Sequence, residues 1–191
     1  MYEEIKETLK KTLSNRRYTH SLGVADEARR LASLYGADVD KAYLAGLLHD
    51  CAKETDEPVE MCRDLGVELD DIMKLNKGLI HGPLGAEIAR LDFGINDEEI
   101  LGAIRWHTVG KAGMTLLEKI IYIADMTEEN RDFDGAEELR KAVSSDLDAA
   151  ILLSITQHLK VLEKRGAAIH PNTILLRNDL ILNKGEKLNE H

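Results

Sequence analysis

Residues 44–53 read LAGLLHDCAK. A run of small and apolar residues, Leu44 to Leu48, ends in His49 and Asp50, and Lys53 follows one turn later. The run belongs to a buried helix, capped by Asp38 or Asp40, because apolar residues recur at helical spacing through it. Packing alone gives no reason to set an imidazole and a carboxylate side by side where such a helix ends.

Helical periodicity extends from this stretch in both directions. A helix over about 2–13 precedes one over about 16–35, which carries Leu22, Ala25, Ala28, Ala32 and Tyr35 on one face and stops at Gly36. Short helices are expected near 57–65, 69–76 and 83–92. Asn96 caps the next, which runs through Ile100 and Ile104 to His107. Thr115 and Glu118 form a capping box for LLEKIIYIADM. Asp134 opens a short helix to about 143, a long one over about 146–165 ends at Gly166, and a last one starts near Pro171. The tail NKGEKLNEH is expected to fray. Period-2 runs of β-branched residues are absent. The expected fold class is therefore all-α: a single domain over 1–191, a helical bundle of about eight to ten helices.

Composition narrows the function. The 191 residues carry a formal net charge of -10. A protein that binds a nucleic-acid duplex draws much of its affinity from phosphate contacts on a basic face, and none is visible here. An acidic chain that handles a phosphorylated substrate must neutralise it locally, with metal ions or a few placed cations. Cys51 and Cys62 are too far apart for a CxxC motif and read as reduced packing residues in a cytoplasmic chain. The N-terminus lacks the apolar core of a signal peptide, and no apolar run is long enough to suggest a membrane span. Apolar faces on the terminal helices would allow a homodimer.

The candidate chemistry lies in the histidines. His20 falls early in the second helix, His81 sits just before Pro83, and His107 ends IRWH. Asp125 interrupts the apolar helix IIYIAD. A lone carboxylate there is costly unless paired, hydrogen-bonded or bound to a metal, and a satisfied structural aspartate is the plain alternative. For His49 alone the plain alternative is a core histidine. As an adjacent pair near a helix end, however, His49 and Asp50 can lean toward one point, and both are ligands for divalent ions. Further ligands must come from elsewhere in the chain, and His20 and Asp125 are the natural ones.

The order His20, His49-Asp50, Asp125 resembles that of the HD-domain metal-dependent phosphohydrolases. The words RRYTHSLGVA, AGLLHDCAKE, IHGPLGAEIA, IRWHTVG and LEKIIYIADMTEENRDFDG resemble one subfamily, the bacterial YqeK-type symmetrical diadenosine tetraphosphatases, over about residues 14–165. One departure is Glu129, where the subfamily pattern has proline. The resemblance implies a metal-binding core over about 16–130 with packing helices over about 134–184. It implies that His20, His49, Asp50 and Asp125 hold one metal, and that Asp50, His81 and His107 hold a second, with Asp50 as the bridge. It implies two divalent ions per chain, iron first, with manganese or cobalt able to substitute in such nitrogen and oxygen sites. The implied reaction is attack of a metal-bridging hydroxide on a β-phosphorus of diadenosine tetraphosphate, with two ADP as products.

Other residues have weaker claims. Arg17, Lys53 and Arg131 are candidates for substrate phosphates, with solvated surface cations as the alternative. Thr108 and Gly110 are candidates for the pocket floor, and Glu54 for orienting a ligand histidine or a water. Trp106 reads as a core residue before a base-stacking one. His158, His170 and His191 read as structural, and EELRK at 137–141 as a solvated face. The alternatives in function are another HD-type nucleotide phosphohydrolase, such as a nucleotidase or alarmone pyrophosphohydrolase, and a non-catalytic nucleotide sensor.

Overall fold

A computed structural model describes residues 2–189. Among them are eleven α-helices and one 3-10 turn, and no strand. The helices are α1 (Tyr2–Thr12), α2 (Asn15–Tyr35), α3 (Val39–Leu48), α4 (Pro58–Asp64), α5 (Asp71–Leu75), α6 (His81–Phe93), α7 (Glu98–Trp106), α8 (Leu116–Thr127), α9 (Ala136–Val143), α10 (Leu147–Arg165) and α11 (Pro171–Asn189), with the 3-10 turn at Lys77–Leu79. The all-α expectation holds. No described helix is long and apolar enough to cross a membrane.

The core forms where α3 is enclosed by α2, α7 and α8. Every residue of α3 from Ala42 to Leu48 is buried, which is why its sequence is apolar on all sides rather than along one stripe. Gly46 permits this enclosure. A Cβ built there would lie 2.8 Å from Ala25 Cα and 3.0 Å from Val24 O, so the α3 backbone rests directly on that of α2. Backbone atoms cannot swing aside as a flexible side chain would. Gly46→Ala is expected to destabilise the fold by about 1–3 kcal/mol through overpacking, lowering Tm by roughly 2–4 °C per kcal/mol. Thermal unfolding checks this, and an unchanged Tm would show that the two helices part without cost.

Several helix ends follow the sequence. Asp38 caps α3 by accepting from the backbone N–H groups of Asp40 and Lys41. Thr115 and Glu118 form the expected capping box of α8, and Gly36 and Gly166 end α2 and α10 in left-handed conformations. Others differ. The cap of α7 is Asp97, which accepts from Glu99 N at 2.9 Å, while Asn96 turns back to Gly94 O. Gly135, not Asp134, precedes α9, because the chain enters with φ 97°, open to glycine. Helix α6 begins at His81, two residues before Pro83, since a proline is tolerated anywhere in a first turn whose N–H groups have no helical partner. Helix α11 carries helical backbone as far as Asn189, beyond where fraying was expected, and His191 lies outside the described residues.

One smaller correction concerns a side chain. Trp106 is not in the core. It is half-buried and lines a surface cleft with Met73, Pro83 and Arg105. Cys51 and Cys62 do pack: Cys62 is fully buried in a satellite core with Ala52, Met73, Ile80 and Leu84, and Cys51 Sγ sits 3.4 Å from Gly85 O.

Candidate metal centre

His20 from α2, His49 and Asp50 from the end of α3, His81 from the start of α6, His107 from the end of α7 and Asp125 from α8 converge on one point. The imidazoles form a row, His20–His49–His107–His81, with successive ring centroids 5.2, 5.0 and 4.9 Å apart. His20, His49, Asp50, His81 and His107 are all buried. Potential ligand atoms fall within 4.8 Å of one another in three groups: His20, His49 and Asp50; Asp50, His81 and His107; and His49, His107 and Asp125.

The backbone fixes how each ring faces. His49 and His107 stand at the C-terminal ends of α3 and α7, where carbonyls of the last turn lack helical partners. Their Nδ1 atoms donate to the carbonyls three residues back, Gly46 O and Ile104 O, each at 2.7 Å. His81 Nδ1 does the same to Gly78 O at 2.7 Å. His20 Nδ1 meets Glu128 Oε1 at 3.0 Å. With every Nδ1 held by an oxygen, all four Nε2 atoms turn inward.

There they meet two carboxylates. Asp50 Oδ1 lies 3.1 Å from His81 Nε2 and 3.7 Å from His107 Nε2, while Oδ2 lies 3.4 Å from His49 Nε2 and 3.7 Å from His20 Nε2. Asp125 Oδ1 is 2.9 Å from His20 Nε2 and 3.8 Å from His49 Nε2. An imidazole whose Nδ1 carries the hydrogen offers a lone pair at Nε2, so each such contact sets two acceptors against each other unless a proton or cation lies between them. His49 Nε2 is buried and makes no hydrogen bond at all. This donor set, four neutral-type nitrogens around two carboxylates, suits a divalent ion.

The electrostatics agree. Burial pushes the Asp50 carboxyl up, but His49 and His107 outweigh it and hold it well below the usual carboxylate range. Burial likewise opposes ionisation of Asp125, and His20, His49 and Arg131 prevail, so that it too stays ionised. Burial pulls His49 down, yet Asp50 and Asp125 beside it reverse the direction and raise it. Burial lowers His81 to about 4, which keeps its ring neutral.

Three cations rim the cluster. Arg17 Nη1 donates to Asp50 Oδ2 at 2.5 Å. Arg131 binds Asp125 twice, Nη2 to Oδ1 and Nε to the backbone carbonyl. Lys53 Nζ lies 3.2 Å from both ring nitrogens of His81. These are the local positive groups that a net charge of -10 leaves room for.

The remaining candidates separate. Thr108 borders the cluster on the side of His107 and its Oγ1 is buried without a hydrogen bond. Gly110 instead forms a turn, at φ 68°, against α11, where a Cβ would meet Leu176 Cδ2 at 2.3 Å. Glu54 does not orient a histidine: exposed, it accepts from Ser14 N at 2.6 Å and Ser14 Oγ at 2.7 Å and so ties down the start of α2. His170 is structural, joining Asp70 at 2.7 Å and thereby α11 to α5.

Two residues have roles that sequence reading missed. Glu128, 1% exposed, spans His20 on one oxygen and Asn130 N, at 2.7 Å, on the other. Arg140, in the run taken for a solvated face, donates to the carbonyls of Thr127, Glu128 and Arg131 and holds that loop in shape. The loop with Glu129 is thus closed without the proline. The only signal for Glu128 was a carboxylate immediately after an apolar helix.

A bundle that brings four histidines and two aspartates from five helices together defines a class. The chain belongs to the HD domain family, whose model matches residues 17–130. HD domain hydrolases are metal-dependent, in keeping with the groups described above. The chain is 43% identical, over 91% of its length and 94% of the relative's, to the symmetrical bis(5'-nucleosyl)-tetraphosphatase of Halalkalibacterium halodurans. It is 40% identical to the Bacillus subtilis protein of the same name, over 94% of this chain and 97% of that one. A crystal structure of a "predicted HD superfamily hydrolase involved in NAD metabolism" from Clostridium acetobutylicum matches with a TM-score of 0.93 and 46% identity, covering 96% of this chain and 98% of that one.

Proposed function

We propose that the protein hydrolyses diadenosine tetraphosphate symmetrically to two ADP, using two divalent metal ions held by His20, His49, Asp50 and Asp125 on one side and by Asp50, His81 and His107 on the other. The observation that carries this reading is the inward aim of four Nε2 atoms, each fixed through its Nδ1, at two ionised carboxylates. The names of the relatives above support the substrate and the position of cleavage. The donor set suits iron, with manganese or cobalt as substitutes. When bound, such ions lower the pKa of water and offset phosphate charge.

The chain's own groups do the rest. Asp50 has one oxygen toward His81 and His107 and the other toward His20 and His49, which is the arrangement a bridging carboxylate needs. The side chains of Arg17 and Arg131 are 26% and 31% exposed, so their guanidiniums can leave the aspartates and take up phosphate oxygens as substrate enters. Lys53 adds a third cation next to His81. Burial of the cluster excludes bulk water and strengthens each of these interactions.

The test is product identification with metal-replete protein in oxygen-18 water. ADP as sole product, with the label in ADP, is expected. ATP with AMP would contradict symmetrical cleavage, and tight binding without turnover would favour the nucleotide sensor.

A further inference from the structure

Two clefts reach the cluster at different places along its row of imidazoles. One, of about 350 Å³, opens at His20 and is lined by Arg16, Arg17, Asn130 and Arg131. The other, of about 260 Å³, opens at His107 and Asp125. Its walls are Leu79, Tyr122 and Met126, and His158 of α10 lines it too. The first is polar and cationic. The second combines apolar and aromatic walls with a few polar groups, the character of a site for a small organic ligand.

We propose that the second cleft binds the nucleoside of one half of the substrate, with His158 stacking on its base. The inference rests on the symmetrical hydrolase reading. A dinucleoside tetraphosphate cut at its middle has an identical nucleoside diphosphate on each side of the bridging oxygen where it is cut, and the reacting phosphorus is the β-phosphorus of one half. With that phosphorus at the cluster, the two halves must extend in two directions, and a single cleft takes only one of them. Lys53 lines the second cleft beside His81, where the phosphates of that half would pass. Thr108 lines the same cleft beside His107. A Met126 thioether and a Tyr122 ring fit a flat purine.

The placement of His158 has a further meaning. It stands on α10, outside residues 17–130 that match the HD domain family. The metal-binding residues are thus all within the shared core, while a wall of the second cleft comes from a helix beyond it. Substrate choice for a dinucleotide is then a property grafted on the core by α10.

The experiment titrates metal-loaded protein with ADP by calorimetry and measures turnover of diadenosine tetraphosphate, for the wild type, His158→Ala and His158→Phe. His158 is exposed, so neither change disturbs the core. The wild type is expected to bind two ADP per chain. His158→Ala should weaken one of the two sites about tenfold, the loss of one stacked base, and raise KM by a similar factor, with the effect on KM rather than kcat. His158→Phe, which keeps a ring, should restore both. One ADP per chain in the wild type, or a His158→Ala protein with two unaltered sites and an unaltered KM, would overturn the inference. Failure of the hydrolase reading shows separately, as absent turnover or as ATP plus AMP from the wild type.

Discussion

Asp50→Ala is expected to remove both metal binding and activity, with kcat/KM falling at least about a thousandfold, because several kcal/mol of transition-state charge stabilisation is lost and each 1.36 kcal/mol is tenfold in rate. Asp50 is 2% exposed, and its two oxygens between them face all four imidazoles. Without it, the His81 and His107 pair keeps no carboxylate at 3.1–3.7 Å. Arg17 also loses its partner and is left beside the other cations. Asp50→Asn separates charge from shape: it fills the same space but offers one acceptor oxygen and no negative charge, so it should be nearly as damaging. Circular dichroism establishes that both variants fold, and steady-state kinetics with elemental analysis reads the effect. Full activity in Asp50→Ala would refute the site.

The second large effect is expected at a residue that is not itself a proposed ligand. Glu128→Ala should lower metal affinity or activity about 10–100-fold, the usual cost of removing a group that orients a ligand histidine. Glu128 holds His20 Nδ1 at 3.0 Å and closes the following turn through Asn130 N at 2.7 Å and Asn130 Nδ2 at 3.1 Å. The same turn delivers Arg131 to Asp125, so the alanine variant loosens a ligand and a cation together. Its carboxylate fits because residue 23 is glycine: a Cβ there would come within 2.5 Å of Glu128 Oε2. Glu128→Gln retains one oxygen that accepts from His20 but sets its amide NH2 against the Asn130 donors, so it should recover part of the loss. Metal titration of the three proteins checks this, and an alanine variant with wild-type affinity would show that His20 needs no orienting partner.

What could be read in the sequence was local or periodic. Asp38, Gly36, Gly166 and the Thr115–Glu118 pair act within one turn of helix, so their residue types announce them. The His49-Asp50 pair stood out because polar groups ending an apolar helix need a reason. What escaped reading depends on contacts far apart in the chain. Glu128 and His20 are 108 positions apart, and Arg140 reaches back 9 to 13 positions to carbonyls that carry no sequence signature. Glu54 lies four residues from Asp50 in sequence, but past the end of α3 the chain turns it toward Ser14. Nothing in the local sequence of Trp106 or His158 says which cleft each lines, because the packing of neighbouring helices decides it.

The central claim is that these six side chains form a two-metal centre, and metal content tests it most directly. Elemental analysis of anaerobically purified wild type, His81→Ala and His107→Ala is predicted to give two ions per chain in the wild type and one in each variant, since the group formed by His20, His49, Asp50 and Asp125 remains intact. One ion per chain in the wild type, unchanged by either substitution, would contradict it.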